Sequence, residues 1–495
     1  MNIKHLILFL QVIMAESLKE KTAKGLFWGA LNNGTTQVLN AVIGIILGRL
    51  LVPEAWAPIA TIAIFSAIAG NLQSSGFSTA IVNMKSPKDN DYNAVFWFNI
   101  LTSFLVYILL FACSPLIAAY FERPCLEDLS RFIFLSFFIS SFGISTNAYM
   151  TKNMMNKEIT IVSLCALVIS GSVAIILALA DFSYWSLAWQ QVVNSTVLVT
   201  GRFFFVKWRP SFHVDFSPIR KTFRFSMNIL VTMIINTVNN NILNSIFGKL
   251  FTKTPEVVGN FYQAFKWDMM AYQSVGGTID QVAQPVLVSL REEKGREVRA
   301  FRKMIRLTAF LSFPAMFGLS LVSQEFILAT VGKNWVGSIP ILRILCVGGA
   351  FMPFYNLYKN LIISQGRSDI NVWLNIIQIV IEIGLIFLTY QQGIISVVIA
   401  YTLLNIFWLL TWMLYARRLI GIRFLDTLAD ICPFMLIAFA VMGITYFVTL
   451  PLHQVYLLLF ARIAVAALLY VGVMKILRVK IMEECVQFFL EKFRK

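Results

Sequence analysis

Three charged residues stand inside long apolar runs: Lys266 and Asp268 in NFYQAFKWDMM, and Glu382 in IIQIVIEIGLIF. An ionisable group at mid-bilayer costs several kcal/mol and marks a functional candidate. Lys266 lies about ten residues into its run, which is about 15 Å deep at 1.5 Å per residue. Two positions set Lys266 and Asp268 about 200° apart around a helix, so they do not pair comfortably with each other. A cation in a low-dielectric cavity attracts a polyanion strongly. Lys266 therefore reads either as an anion contact or as half of an ion pair with Glu382 or another helix. Glu382 has no local partner and is a candidate for carrying a coupling proton, with Asp268 a second coupling-ion candidate. A salt bridge to a neighbouring helix accounts for Glu382 equally well.

Uncharged polar residues form a second pattern. Asn32, Asn33, Thr36, Gln37 and Asn40 recur at helical spacing in one apolar run, and Asn236, Asn239, Asn240 and Asn244 in another. Spacing of four puts each set on one stripe of a helix. Against lipid such stripes are costly, so they face a wet cavity or join helix to helix. Asn40, Asn236 and Asn240 are the binding candidates among them. Arg49 and Lys249 close the same two runs, either as a cationic rim or as side chains snorkelling to the interface. Snorkelling is the reading for Lys359, Arg343 and Arg306. Gly276-Gly277 offers a point where a long helix can bend.

Catalysis finds little support. There is no GxxxxGK[ST] and so no ATP motor on this chain. His5, His213 and His453 lie at an end or in loops, and neither they nor the six cysteines have metal-ligand spacing. No cofactor, metal or disulfide framework is expected, and the chain is not read as an enzyme. Trp28, Trp56, Trp97, Trp185 and Trp335 fall near the ends of apolar runs, which suits interfacial belts.

The elements that position these residues follow from composition. The chain has 495 residues, 58% hydrophobic and 13% charged, where soluble domains carry about 25% charged residues. It is an all-α integral membrane protein. Apolar runs of about 20 residues, enough for a ~30 Å hydrocarbon core, number fourteen, near 26–49, 56–83, 93–120, 129–150, 159–180, 184–206, 225–249, 257–288, 304–322, 340–363, 371–390, 394–415, 428–449 and 455–474. With both termini inside, 29 of the 41 Lys and Arg fall on inside segments and five outside. That asymmetry is what the positive-inside rule demands. It also accounts for most of the +16 net charge without nucleic acid. At the start, Met14 is the expected native initiator, because Leu6–Ala15 resembles a signal peptide that lacks a cleavage site.

The first and seventh runs repeat at an offset of 200: Gly48-Arg49-Leu50-Leu51 against Gly248-Lys249-Leu250-Phe251, followed by Pro53-Glu54 against Pro255-Glu256. Six spans separate the copies, so they start on the same side and are parallel repeats, an arrangement used by secondary transporters.

Taken in order, TAKGLFWGALNNGTTQVLNAVIGIILGRLLVPEAW (22–56), NAVFWFNILTSFLVYILLFACSPLIAAYF (93–121), GKNWVGSIPILRIL (332–345) and SQGRSDI (364–370) resemble the polysaccharide transporter branch of the multidrug/oligosaccharidyl-lipid/polysaccharide (MOP) superfamily, the flippases of O-antigen, capsule and exopolysaccharide. The resemblance covers about 17–425; no one motif is diagnostic, but their order is specific. It implies two pseudo-symmetric six-helix bundles, 26–206 and 225–416, around a central cavity in a MATE-like arrangement. A basic cytoplasmic linker (207–224) joins them, a lead (1–25) precedes them, and two extra helices with a basic tail (417–495) follow. It implies a cargo of oligosaccharide on an undecaprenyl diphosphate carrier, moved by alternating access across the bacterial inner membrane. Polymerase and glycosyltransferases of the same route are the implied pathway partners. On that resemblance Lys266, a position often basic in the family, becomes a diphosphate contact, and Arg49 and Lys249 the rim where the diphosphate leaves.

Two other functions compete. A multidrug or organic-cation antiporter calls for an acidic cavity, whereas Lys266 accompanies Asp268 and Glu382 here. A membrane-embedded polysaccharide polymerase calls for a large outer loop with catalytic polar residues, and the longest outer loop, 323–339, is short.

Overall fold

The computed structural model describes residues 28–29, 31–74, 77–212 and 215–484. The lead with Met14, the chain end and His213 lie outside the described residues. Among those described, the regular structure is helical and falls into two compact units with their boundary between Pro255 and Glu256.

The first unit begins with α1 (31–50). It continues with α2 (Pro53–Ser74), α3 (Phe77–Asn83), α4 (Asp89–Tyr120), α5 (Cys125–Ser141), α6 (Ile144–Lys152), α7 (Asn156–Leu179), α8 (Tyr184–Phe205) and α9 (Ser217–Leu250). The closest pairings are α7 with α8, α2 with α9, α4 with α5, and α5 with α8. The α2–α9 pairing, and the approach of α7 to α1, are locked by missing side chains. A Cβ on Gly171 would meet Ile43 at 2.4 Å, and one on Gly248 would meet the Thr61 hydroxyl at 2.5 Å. At that contact Ser245 donates to the Thr61 carbonyl at 3.0 Å. At one end of the unit, Phe77, Ile81, Tyr92, Phe96, Met150 and Trp208 form an apolar cluster. Lys152 donates to the carbonyls of Val82 (2.9 Å) and Met84 past the end of α3, as a cation suits a helix C-terminus.

The stretch between α8 and α9 is tied to the same unit. The Ser211 amide donates to Asn93 at 2.9 Å, Trp97 Nε1 donates to the Ser211 carbonyl at 2.7 Å, and Asn90 reaches Asp215 at 3.1 Å. Asp215 accepts from the Ser217 amide at 2.9 Å, just ahead of Pro218 in the first turn, so α9 starts at Ser217. The linker read at 207–224 thus takes in the first two turns of α9, which packs in the first unit, against α2.

The second unit comprises α10 (Pro255–Ser289), α11 (Lys294–Leu321), α12 (Ser323–Thr330), α13 (Ser338–Gly349), α14 (Met352–Ser364), α15 (Ser368–Thr389), α16 (Ile394–Ile420), α17 (Phe424–Thr449) and α18 (Val455–Ile476). Helix α11 packs mainly on α17, and α16 on α13, α14 and α15. Ion pairs fasten the last two helices at both ends. Arg302 of α11 holds Asp430 at 2.7 Å and Asp426 at 3.5 Å, with Arg306 at 3.7 Å from Asp430. Arg306 is thereby placed in a pairing where snorkelling was expected. At the other end Arg462 of α18 meets Glu325 of α12 at 2.8 Å, both side chains over 90% buried. Arg462 also donates to Thr449 (3.3 Å) and to the Leu321 carbonyl (3.4 Å).

Among the described residues nine helical stretches, one of them α13 with α14, are long and apolar enough to cross a membrane, and α5 with α6, bent by 43°, count as a tenth when the pair is taken as one span. Helices α1, α8, α9 and α10 coincide with the remaining apolar runs, but polar residues interrupt them. Outward faces are apolar: Leu105, Leu109 and Leu116 of α4 and Phe439 and Phe447 of α17 are exposed, as lipid contact requires.

Candidate functional site

Within the first unit α1, α5, α7 and α8 line an open cavity of about 530 Å³. Helix α1 contributes Thr36 and Asn40, α5 Ser136, α7 Ser163 and Ser170, and α8 Gln190, Gln191, Asn194, Ser195 and Arg202. Leu167 and Leu198 complete the lining, which holds no carboxylate. Ser170 accepts from Asn194 at 3.3 Å. Arg202 is half-buried and donates to the Gly143 carbonyl at 3.3 Å. That carbonyl, at the break between α5 and α6, also accepts from the Asn147 amide and from the Thr146 hydroxyl, each at 3.0 Å. Among the described residues no carboxylate lies within ion-pair distance of Arg202.

The second unit carries a polar chain on α15. Asn371, Asn375, Gln378 and Glu382 are all buried and lie on one helical stripe. Asn375 donates to Asn371 at 3.1 Å, and Gln378 donates to Glu382 at 3.0 Å and to Asn405 of α16 at 2.9 Å. Tyr355 of α14 bridges Asn375 (3.1 Å) and Gln378, with its ring 4.8 Å from that of Trp412. A buried polar network of this kind is stable only while its members satisfy one another.

The charged residues of α10 divide as their spacing requires. Asp268 is buried on the packed side, where an added Cβ on Gly349 of α13 would meet its oxygen at 2.6 Å. Among the described residues neither Asp268 oxygen has a conventional hydrogen-bond donor. Lys266 is half-buried, about 200° away around the same helix. The helix runs unbroken through Gly276 and Gly277.

The remaining candidates spread out. Lys249 pairs with Glu122 at 2.7 Å and lies 5.1 Å from the ring of Tyr120. Its hydrogen bond holds the Glu122 carboxyl below its ordinary range. Next to it Arg123 donates to the Thr252 carbonyl at 3.3 Å. Arg49 is exposed at the end of α1. The side chains of Asn236, Asn239 and Asn240 lie outside the described residues; Asn244 is buried. Asn40 and Thr36 line the first unit's cavity, and Glu382 sits in the network of the second. No cluster of His, Cys, Asp or Glu among the described residues could hold a metal ion.

Gln190, Asn194 and Arg202 escaped the reading of the sequence, although their recurrence at multiples of four along α8 was a visible signal. So did Asn371, Asn375 and Gln378, which precede Glu382 on α15. Tyr355 and Asn405 join that network through tertiary packing, which no local pattern reveals.

Comparison with known proteins adds three findings. A family model described as polysaccharide biosynthesis protein matches residues 46–340. The lipopolysaccharide biosynthesis protein WzxC of Escherichia coli is 24% identical over 79% of this chain and 80% of its own. The succinoglycan biosynthesis transport protein ExoT of Rhizobium meliloti is 22% identical over 75% of each. Among solved structures, the lipid II flippase MurJ in an inward closed conformation superposes with a TM-score of 0.74, at 15% identity, over 92% of this chain and all of that one. At that identity the likeness speaks for the fold.

Proposed function

Since the chain belongs to the polysaccharide biosynthesis protein family, we propose that this multi-pass membrane protein is a flippase, carrying lipid-linked oligosaccharide from the cytoplasmic to the outer leaflet by alternating access. The observation that carries the reading is the first unit's cavity: lined by hydroxyls, amides and one guanidinium, and set among helices with apolar outer faces. Sugar hydroxyls need such donors and acceptors inside the bilayer, while a polyprenyl tail needs only lipid. An organic-cation antiporter would want carboxylates, and this lining has none. The names of WzxC, ExoT and MurJ point the same way.

The finer parts of the proposal rest on chemistry. The carrier is an undecaprenyl diphosphate, Lys266 contacts the diphosphate, and Asn40, Asn236 and Asn240 contribute polar surface. Arg49 and Lys249 form the rim on the exit side, Lys249 exchanging Glu122 for the passing anion. Glu382, supported by Asp268, carries the coupling ion. Two bundles with the basic stretch 207–224 between them, and the helices after 417 as an addition, remain our proposed functional division. The protein lies in the bacterial inner membrane with both termini in the cytoplasm, beside the polymerase and glycosyltransferases of its route.

Deletion of the gene tests the function. The expected result is loss of the surface glycan with build-up of the lipid-linked unit on the cytoplasmic side. Unchanged glycan without a redundant transporter overturns it.

A further inference from the structure

The polar cavity of the first unit has a chemical bias that a general sugar passage does not require. Its wall is hydroxyl and amide on three helices, with a single full charge on the fourth. Arg202 lies in the last turn of α8, where a charge turned into a cavity is stabilised by a group that shares it. Arg202 has one backbone carbonyl at 3.3 Å and no carboxylate within ion-pair reach among the described residues, so most of its five donors remain available.

Its neighbours are arranged to meet a polyol. Gln190, Asn194, Leu198 and Arg202 descend α8 on one stripe, facing Thr36 and Asn40 of α1 and Ser163 of α7 across the cavity. The volume of about 530 Å³ lies within the ~300–1,000 Å³ common for small-molecule sites. The guanidinium lies near the C-terminal end of α8, and the amides at Gln190 and Gln191 one to two turns from its start. A ligand filling this space meets an anion site at one end and neutral hydrogen-bonding groups along the rest.

We propose that this cavity is a subsite for an acidic stretch of glycan: a pyranose whose carboxylate or phosphate engages Arg202, with hydroxyls of that ring and of the rings joined to it engaging Asn194, Asn40 and Gln191 in turn along the cavity. It rests on the flippase reading and adds that the cargo bears a negative charge in its glycan. Arginine suits that role because its planar fork accepts a carboxylate or phosphate in bidentate fashion. The shared chemistry at the Arg202 end is a hydroxylated anion, from a uronic-type sugar or from a sugar phosphate.

The test uses full-length protein in lipid nanodiscs with glucuronate, glucose and glucose 1-phosphate as soluble probes, followed by calorimetry. The expected result is that one of the anions binds at least tenfold more tightly than glucose. Arg202→Gln should remove that preference, bringing the anions to the affinity of glucose. Tighter glucuronate assigns a uronic-type unit, and tighter glucose 1-phosphate a phosphorylated one. Arg202→Lys, which keeps the charge, should retain part of the preference. Asn194→Ala, away from the α5–α6 break, should weaken all three probes together and guards against loss of fold in the Arg202 variants. Equal binding of anions and glucose, or an anion preference unchanged in Arg202→Gln, overturns the subsite. Neither result bears on the flippase reading, which the gene deletion decides separately.

Discussion

Gly248 of α9 stands against Thr61 of α2 so closely that a methyl group added to the glycine would lie 2.5 Å from the threonine hydroxyl. The repeated Gly-Arg/Lys-Leu motif therefore has, in its second copy, a packing role that its sequence resemblance to the first did not disclose. Gly248→Ala should destabilise the protein by about 1–3 kcal/mol, the usual cost of overpacking. Thr61→Ala in the same chain should recover most of that loss. Thermal unfolding in detergent, comparing both single variants with the double, checks the pair; additive losses would refute the contact.

The pair of Arg462 and Glu325 is buried on both sides. Removing one partner leaves an uncompensated charge, which costs about 3–5 kcal/mol in buried pairs. Arg462→Met should lower the unfolding temperature sharply, and Arg462→Met with Glu325→Leu should restore much of it. A double variant as unstable as the single would show that the arginine acts through Thr449 or Leu321 instead.

Glu122 is held below its ordinary pKa by Lys249. A depressed folded-state pKa contributes stability at pH above the unfolded value of about 4.5, and that contribution is lost as pH falls through the folded value. Glu122→Gln should flatten the part of the stability profile that falls below about pH 5, leaving neutral pH nearly unchanged. Melting temperatures from pH 7 to 4 provide the measurement; an unaltered slope would rule out the linkage.

Lys266→Ala should reduce transport at matched expression by about tenfold or more, since a hydrogen bond to a charged group contributes about 1.5–3 kcal/mol. Lys266→Arg should preserve part of the rate. Wild-type transport by the alanine variant removes Lys266 from the cargo path.

Glu382→Gln keeps an acceptor for Gln378 while removing the ionisable group. If the carboxyl carries the coupling ion, the variant should bind cargo normally and lose the dependence of transport on the ion gradient. A gradient response equal to wild type, measured in proteoliposomes, would assign Glu382 to the network alone.

Hydropathy located the long helical stretches among the described residues, because lipid contact imposes a length and a polarity that local sequence must obey. It missed the breaks. The run 129–150 stays apolar through Phe142 and Gly143, where α5 gives way to α6, and 340–363 stays apolar through the turn at Ala350 between α13 and α14. Hydropathy measures how oily a segment is and is blind to its backbone direction. The site was legible in the same measure. Asn40 stood out as part of a polar stripe and Glu382 as a lone charge, each within an apolar run. What they share a space or a hydrogen bond with was not visible, since Arg202 with Asn40, or Tyr355 with Gln378, meet only when helices distant in sequence pack.

The Arg462–Glu325 pair also sets an order on how the protein is made. Glu325 leaves the ribosome 137 residues before its partner, and α13 to α17 must be handed to the bilayer while that carboxylate has no arginine to meet. The nascent chain has to keep α12 near water, or with a chaperoning insertase, until α18 arrives. A chain stopped ahead of Val455 would carry that acid without its arginine, a mark by which quality-control proteases could tell the unfinished protein from the finished one.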